Sequence, residues 1–123
     1  MQFSTTLVLR TLFWVALSAS YIFAIVPQDI APTIGSLSDK STHFIAFAVL
    51  TLLFRLAYSI TWFQTFSLLF IYAIFIEFSQ FFTPNRSAEL LDVVADVIGI
   101  WIGLLFYPFI QKLIMGYAKY EHY

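Results

Sequence analysis

The 123-residue sequence has no cysteine, only four glycines and four prolines, and few charges. Without cysteine there can be no disulfide, no thiolate metal ligand and no thiol nucleophile. Charged residues make up 11% of the chain, against about 25% in soluble domains. The net charge is −1 and there is no run of basic residues. The sequence therefore argues against a disulfide-stabilised secreted domain and against a nucleic-acid partner.

Apolar side chains take the place of the missing charges. Hydrophobic residues account for 61% of the chain and aromatic residues for 20%, including 15 phenylalanines. The mean hydropathy is +0.87. A domain of this size leaves much of its surface exposed, so water could not accommodate so many apolar side chains. The composition indicates an integral membrane protein.

Four apolar stretches lie at about 7–26, 41–60, 62–82 and 88–110. Each is close to the roughly 20 residues that cross about 30 Å of hydrocarbon. In none of them do apolar and polar residues alternate with a period of two, so helices are predicted rather than barrel strands. We predict an all-α fold, an integral membrane bundle of four transmembrane helices that forms a single domain over residues 1–123.

The first stretch has the alternative of a cleaved signal peptide, with Arg10 in its basic region and small residues at 18–20. Because further membrane segments follow, a retained helix is favoured.

Residues 41–82 contain no glycine or proline, and one helix of that length would measure about 63 Å. The chain must therefore reverse, and polar and aromatic residues at 55–62 place the reversal there.

The distribution of lysine and arginine predicts the orientation. Alternating helices put four of these cations at one face of the membrane and two at the other. The four are Arg10, Arg55, Lys112 and Lys119, and the two are Lys40 and Arg86. Since cytoplasmic loops carry the excess of positive charge, both termini are expected in the cytoplasm.

Polar residues gather at the opposite, extracytoplasmic face, and we take them as candidate ligand-binding residues. They are Asp39, Lys40, His43, Glu77, Gln80, Arg86, Asp92 and Asp96. On the fourth helix the two aspartates are followed by Gly99 and Gly103 at steps of 3 and 4, which traces one stripe. Small residues on such a stripe let a neighbouring helix approach closely, so the aspartates should face protein and not lipid.

Carboxylates inside a membrane helix need a partner. Glu77 should lie about 7 Å, and Asp96 about 12 Å, below the helix ends, where a charge is unfavourable by about 2.5–3.5 kcal/mol. We predict that Arg86 folds inward and pairs with Glu77 or with one of the aspartates, because its planar fork can form two hydrogen bonds with a carboxylate. The other cations available at this face are Lys40 and His43.

The order and spacing of these residues resemble the VanZ-like family of bacterial membrane proteins. The matching blocks are Asp39-Lys40-x-x-His43-Phe44, Glu77-x-x-Gln80, Pro84-x-Arg86 and Asp92-x-x-x-Asp96-x-x-Gly99. The resemblance implies an extracytoplasmic-facing polar site in a four-helix bundle of the bacterial cytoplasmic membrane. The founding member is linked to teicoplanin resistance, which is not carried over to this chain. Many relatives have Asn in place of Asp96 and others have Asp, and the additional carboxylate here is compatible with a protonated, neutral Asp96.

These observations favour an accessory cell-envelope protein over an enzyme. It would bind membrane lipid headgroups, a cell-wall precursor or an amphiphilic antibiotic, with Lys40 and Arg86 facing an anionic group. One alternative is a membrane enzyme that uses Glu77 and Asp96 as acid and base on a lipid-linked substrate. Another is a proton or ion path, which the apolar lengths of the third and fourth helices disfavour. No cofactor or metal is expected, since no metal-ligand spacing is evident.

Several of the candidate residues could also have purely structural roles. Asp39 can serve as a helix cap, and Lys40 can extend to the membrane interface. Gln80 can hydrogen-bond a neighbouring helix. Glu77 is the hardest to explain in this way, since an ionisable residue inside a span is a functional candidate by default.

Overall fold

The computed structural model describes residues 3–26, 39–83 and 89–121, with side chains for 4–26, 41–83 and 89–114. These residues form four helices and no strand. The helices are α1 (Phe3–Ile25), α2 (Asp39–Ala57), α3 (Trp62–Phe81) and α4 (Leu90–Glu121). Three of the four are long and apolar enough to cross a membrane, and α2 contributes a shorter apolar segment, Ser41–Ala57. The predicted all-α membrane bundle is confirmed.

The predicted boundaries differ most for α4, which was expected to end near residue 110 and continues to Glu121. It passes through Pro108, which has no amide N–H to donate. Proline is tolerated in membrane helices because neighbouring groups satisfy the freed carbonyl. The apolar pattern marks only the part of a helix that lies in lipid. It therefore missed the polar last turns, where Gln111 and Lys112 are good helix formers.

A capping box starts α3 and explains how the chain reverses without glycine or proline. The Thr61 hydroxyl accepts a hydrogen bond from the Gln64 amide at 3.1 Å. In return, the Gln64 side-chain oxygen accepts one from the Thr61 amide at 3.0 Å. Two otherwise unsatisfied amides are thereby paired. The reversal lies between Ala57 and Trp62, within the predicted segment.

The most extensive helix contact joins α2 to α4, and two glycines set its distance. A Cβ atom added to Gly103 would lie 2.6 Å from the Thr51 Cβ. One added to Gly99 would overlap the carbonyl oxygen of Phe44. Neither position has room for a methyl group. The small-residue stripe therefore packs against α2 and brings the first halves of the two helices together.

The inside of the bundle is filled by large side chains, and its outside is apolar as well. Phe47, Leu50 and Ile100 are almost fully buried, and the Phe13 and Phe54 rings stack at 4.6 Å. Many large hydrophobic side chains are exposed on the outer faces of all four helices. The most exposed include Phe81, Leu90, Leu105, Phe109 and Leu113. Water would penalise such a surface by about 25 cal/mol per Å², whereas lipid does not.

Polar contacts attach α1 to α3 within this apolar setting. The Tyr21 and Ser79 hydroxyls lie 2.9 Å apart. The Ser20 and Tyr72 hydroxyls lie 2.7 Å apart, and Tyr72 also donates to the Leu17 carbonyl at 3.0 Å. Hydrogen bonds between membrane helices contribute about 0.6 kcal/mol each on average. They fix the position of α1 and α3 beside the α2–α4 pair.

Candidate functional site

A buried histidine–aspartate pair links α2 to α4. His43 Nδ1 lies 3.0 Å from Asp96 Oδ1, and the two side chains are 8% and 0% exposed. Gly99, three residues beyond Asp96, meets the carbonyl of Phe44, which follows His43 in the chain. The close glycine contact therefore brings the two polar side chains within bonding distance. In such a bond a His43 Nδ1–H, on a neutral or a protonated ring, donates to the Asp96 carboxylate, or a protonated Asp96 donates to an unprotonated Nδ1.

Asp92 lies one helical turn before Asp96 on the same face of α4 and is also buried, at 2% exposure. Both aspartates thus point into the bundle and not into lipid. Asp92 lies in the first turn of α4, where the positive end of the helix dipole stabilises a negative charge. Burial and the neighbouring like charge destabilise a negative charge on Asp92. The helix terminus and the low-dielectric environment therefore have opposite effects on this carboxylate.

Glu77 connects the end of α3 to the beginning of α4. Its Oε2 accepts a hydrogen bond from the Glu89 amide at 2.9 Å, and Glu89 directly precedes α4. The carboxylate thus acts as a cap supplied by another helix. The charges of Asp92, His43 and Asp96 act on the half-buried Glu77 carboxyl. The structure therefore brings these four ionisable groups into one neighbourhood at one end of the bundle.

Gln80 lies one turn after Glu77 and is 1% exposed. Its Nε2 donates to the Ala24 carbonyl on α1 at 2.9 Å. That contact fixes the amide orientation, because a carbonyl accepts only from the nitrogen. Gln80 Oε1 and Glu77 Oε1 are both buried and have no hydrogen-bond partner within the described part of the chain. Two buried oxygen acceptors at this end of the bundle therefore lack a partner among the described residues.

Three candidate residues cannot be placed in the site. Asp39 and Lys40 open α2, but their side chains lie outside those described, and Arg86 lies outside the described residues altogether. The pairing of Arg86 with a carboxylate stays a prediction. Counting from the observed helix ends, Glu77 lies about 6 Å and Asp96 about 9 Å inside. Both are slightly shallower than expected, because α3 ends earlier and α4 begins later than predicted.

The chemistry available to the described residues is that of hydrogen-bond acceptors and proton exchange. Within residues 3–26, 39–83 and 89–121, no three His, Asp or Glu side chains are grouped to hold a metal ion. Carboxylates outnumber the single histidine, so the described residues favour ligand groups that carry N–H or O–H donors. The adjacent His43 and Asp96 could also pass a proton.

The opposite end of the bundle holds polar contacts that sequence reasoning missed. The Arg55 guanidinium carbon lies 4.0 Å from the centroid of the Tyr107 ring. Arg55, which the sequence analysis counts only as one of the cations at this face, is half-buried against α4, and its Nε is buried with no hydrogen-bond partner among the described residues. The two residues are 52 positions apart in sequence, so no local pattern could have paired them.

Comparison with known proteins places the chain in a family. A sequence model of the VanZ/LLP1 family matches residues 3–111. The match covers α1, α2, α3 and the first two thirds of α4, and it includes every candidate site residue. Neither the curated proteins nor the solved structures include a significant match. With this match over most of its length, the four-helix membrane bundle belongs to the VanZ/LLP1 family.

Proposed function

We propose that the protein binds the polar headgroup of an amphiphile at the end of the bundle that holds Glu77 and Asp96, without chemically changing it. The amphiphile would be a membrane lipid, a cell-wall precursor or an amphiphilic antibiotic. The observation that carries the proposal is the pair of buried acceptors, Glu77 Oε1 and Gln80 Oε1, beside the His43–Asp96 pair. Leaving a buried acceptor unsatisfied costs about 1–3 kcal/mol. A ligand with hydrogen-bond donors would remove that penalty.

The surroundings of the site support an amphiphilic ligand. Phe78, Phe81 and Leu91 lie near the same end of the bundle and are 64%, 74% and 61% exposed. A molecule that reaches the acceptors from the membrane would keep its acyl or prenyl chain against such side chains. Its headgroup would contribute an ammonium or hydroxyl group to the acceptors. Lys40 and Arg86 would meet a phosphate on the same headgroup, as the sequence predicts.

The excess of lysine and arginine near the termini supports a location in the bacterial cytoplasmic membrane with both termini inside. The site would then face the outer leaflet, where cell-envelope precursors and externally added antibiotics are present. Cysteines introduced at the two termini and within residues 27–38 would test this topology with a membrane-impermeant thiol reagent. The natural chain offers no competing cysteine. Labelling of the termini in intact cells would contradict the proposed orientation.

Binding can be measured in nanodiscs with two probes, phosphatidylethanolamine and an undecaprenyl-linked cell-wall precursor. Phosphatidylcholine, whose headgroup lacks an N–H donor, serves as the reference lipid. Glu77→Gln removes a charge-assisted hydrogen bond worth about 1.5–3 kcal/mol, so we expect binding to weaken about tenfold or more. Glu89→Gln makes the same chemical change on an exposed carboxylate near the same end and should have little effect.

Two results would contradict this proposal. The first is that neither probe binds more tightly than phosphatidylcholine. The second is that Glu77→Gln and Glu89→Gln weaken binding equally, since that would indicate a general electrostatic effect and no defined site. Mass spectrometry of lipids that co-purify with the natural protein would identify the ligand class directly.

An enzyme is the second candidate, and the buried His43–Asp96 pair is the observation that favours it. A histidine held by a carboxylate is a common general base, and Glu77 would be the nearby acid. The same nanodisc experiment separates the two candidates when the labelled probes are recovered and analysed. Intact probes support binding alone. Modified probes, with modification lost in His43→Gln, would establish an enzyme.

A proton or ion path has weaker support. Half-buried hydroxyls in the middle of the bundle, such as those of Ser20 and Tyr72, bond to each other and to the Leu17 carbonyl. This local arrangement satisfies the hydroxyls without requiring a chain of water or ions. Proton flux in liposomes that Glu77→Gln abolishes would favour a path over the binding site.

A further inference from the structure

The two ends of the bundle carry opposite charge. Among the described residues, the end at which α1 begins and α4 ends has four cations and a single acid, Glu121. The other end has one cation, Lys40, and five acids, which are Asp39, Glu77, Glu89, Asp92 and Asp96. The proposed headgroup site uses only the acidic end. The basic end is therefore a separate feature, and it favours an anionic partner.

Arg10 is the most clearly positioned cation at the basic end. Its Nε donates to the Ala57 carbonyl at 3.1 Å, and its guanidinium carbon lies 4.6 Å from the centroid of the Tyr58 ring. The Tyr58 hydroxyl in turn accepts a hydrogen bond from Trp14 Nε1 at 2.8 Å. The guanidinium is thus held at the end of α2 while Arg10 remains exposed. Its terminal nitrogens have no hydrogen bond to another described residue.

A shallow groove of about 720 Å³ runs along the outer face of α1 and contains Arg10 near one end. Its other lining residues include Leu7, Trp14, Val15, Ser18 and Ile22. From Arg10 to Ile22 the helix rises about 18 Å. Half of a hydrocarbon layer measures about 15 Å. The groove therefore has the length of one acyl chain, with a positive charge where the headgroup of that lipid would lie.

We propose that this groove is a binding site for an anionic phospholipid. Arg10 holds the headgroup phosphate through its terminal N–H groups, since a guanidinium matches the geometry of phosphate oxygens. Trp14 lies at the interface, and an acyl chain follows the apolar face toward Ile22. The site is at the opposite end of the bundle from the carboxylates, and it depends neither on the proposed function nor on the orientation in the membrane.

Trp14 provides a local measurement. The chain has three tryptophans, so a variant with Trp62→Phe and Trp101→Phe leaves Trp14 as the only indole fluorophore. The protein is placed in vesicles that mix unlabelled phosphatidylcholine with brominated phosphatidylglycerol or brominated phosphatidylcholine, whose bromines quench nearby tryptophan. We expect phosphatidylglycerol to be preferred beside Trp14 by about fivefold, the factor equivalent to ~1 kcal/mol per cation at a membrane surface.

Two substitutions of single cations, one inside the groove and one outside it, serve as test and control. In the same background, Arg10→Gln should reduce the preference to nearly one. Lys112→Gln should leave it unchanged, because Lys112 is an exposed cation on α4 outside the groove. Equal quenching by the two lipids in the unsubstituted groove would overturn the proposal. An equal loss in both variants would also overturn it, since that would indicate diffuse attraction by the whole basic end.

A further measurement covers the case in which Arg10→Gln fails to fold because it loses the Ala57 contact. Arg10→Lys keeps the charge, and it should retain a preference for phosphatidylglycerol. In the Trp62→Phe, Trp101→Phe background with Arg10 intact, the preference should fall as salt is raised from about 0.1 to 1 M, where the Debye length shrinks from about 10 to 3 Å. A preference that is independent of salt would contradict a site based on charge.

Discussion

Replacing Gly103 by alanine tests whether the α2–α4 contact determines the stability of the bundle. In an unconstrained helix this change stabilises the protein by up to about 1 kcal/mol, because glycine is a poor helix former. Here the new Cβ would lie 2.6 Å from the Thr51 Cβ and 2.8 Å from the Ala48 carbonyl oxygen. Helix propensity therefore predicts that the substitution stabilises the protein, whereas packing predicts that it destabilises the protein.

The geometry indicates which effect dominates. Ordinary contacts of a Cβ begin at 3.4 Å, so α2 and α4 would have to separate by about 0.8 Å. None of the nearest atoms is the far end of a flexible side chain, since they belong to the backbone of Ala48 and to the first atoms of the β-branched Thr51. Overpacking of a close contact costs about 1–3 kcal/mol. Because a 2.6 Å contact is severe, we take the upper part of that range, about 2–3 kcal/mol, and subtract about 1 kcal/mol for helix propensity. We therefore expect Gly103→Ala to destabilise the protein by about 1–2 kcal/mol.

The assay is reversible unfolding of the detergent-solubilised protein by sodium dodecyl sulfate, followed by circular dichroism. Thr51→Gly in the Gly103→Ala background removes the nearest Cβ and should recover part of the loss. Its own effect is measured in a Thr51→Gly single variant, so that the four proteins form a double-mutant cycle. A Gly103→Ala protein as stable as the natural one would refute the inference that this glycine sets the helix distance. A cycle without coupling would refute the role assigned to Thr51.

Three further substitutions test single contacts. Gln80→Leu removes the hydrogen bond to the Ala24 carbonyl, and the free energy of unfolding should fall by about 0.6–1.7 kcal/mol; no change would mean that this bond does not stabilise the α1–α3 contact. Thr61→Ala removes the cap of α3 and should cost about 1 kcal/mol, a loss that Thr61→Ser should largely avoid. Asp96→Ala leaves a buried His43 nitrogen without its acceptor, at a cost of about 1–3 kcal/mol, whereas Asp96→Asn keeps an acceptor and should be milder; equal losses would show that the hydrogen bond is unimportant.

Much of the fold follows from local properties of the sequence. Four apolar segments of membrane length predict four helices, because only the number and spacing of apolar residues matter for that inference. The spacing of Asp92, Asp96, Gly99 and Gly103 also predicts which face of α4 turns inward. Even the turn before α3 is encoded locally, since the Thr61-x-x-Gln64 pattern of a capping box is visible in the sequence.

The partners within the site could not be predicted in the same way. Several carboxylates and three cations share one end of the bundle, and their pairing depends on which helices touch. The sequence favours Arg86 as the partner of a carboxylate on chemical grounds. The structure places His43 beside Asp96, 53 residues away, because the Gly99 contact brings α2 against α4 there. Such a pairing is a property of helix packing and is not encoded in the spacing of residues along one helix.

The hydrogen bond between Glu77 and the Glu89 amide makes one side chain serve two purposes. One oxygen accepts from the amide that precedes α4, and the other is buried with no hydrogen-bond partner among the described residues. A ligand that binds the second oxygen would therefore act on the same carboxylate that accepts from the start of α4, close to the buried Asp92.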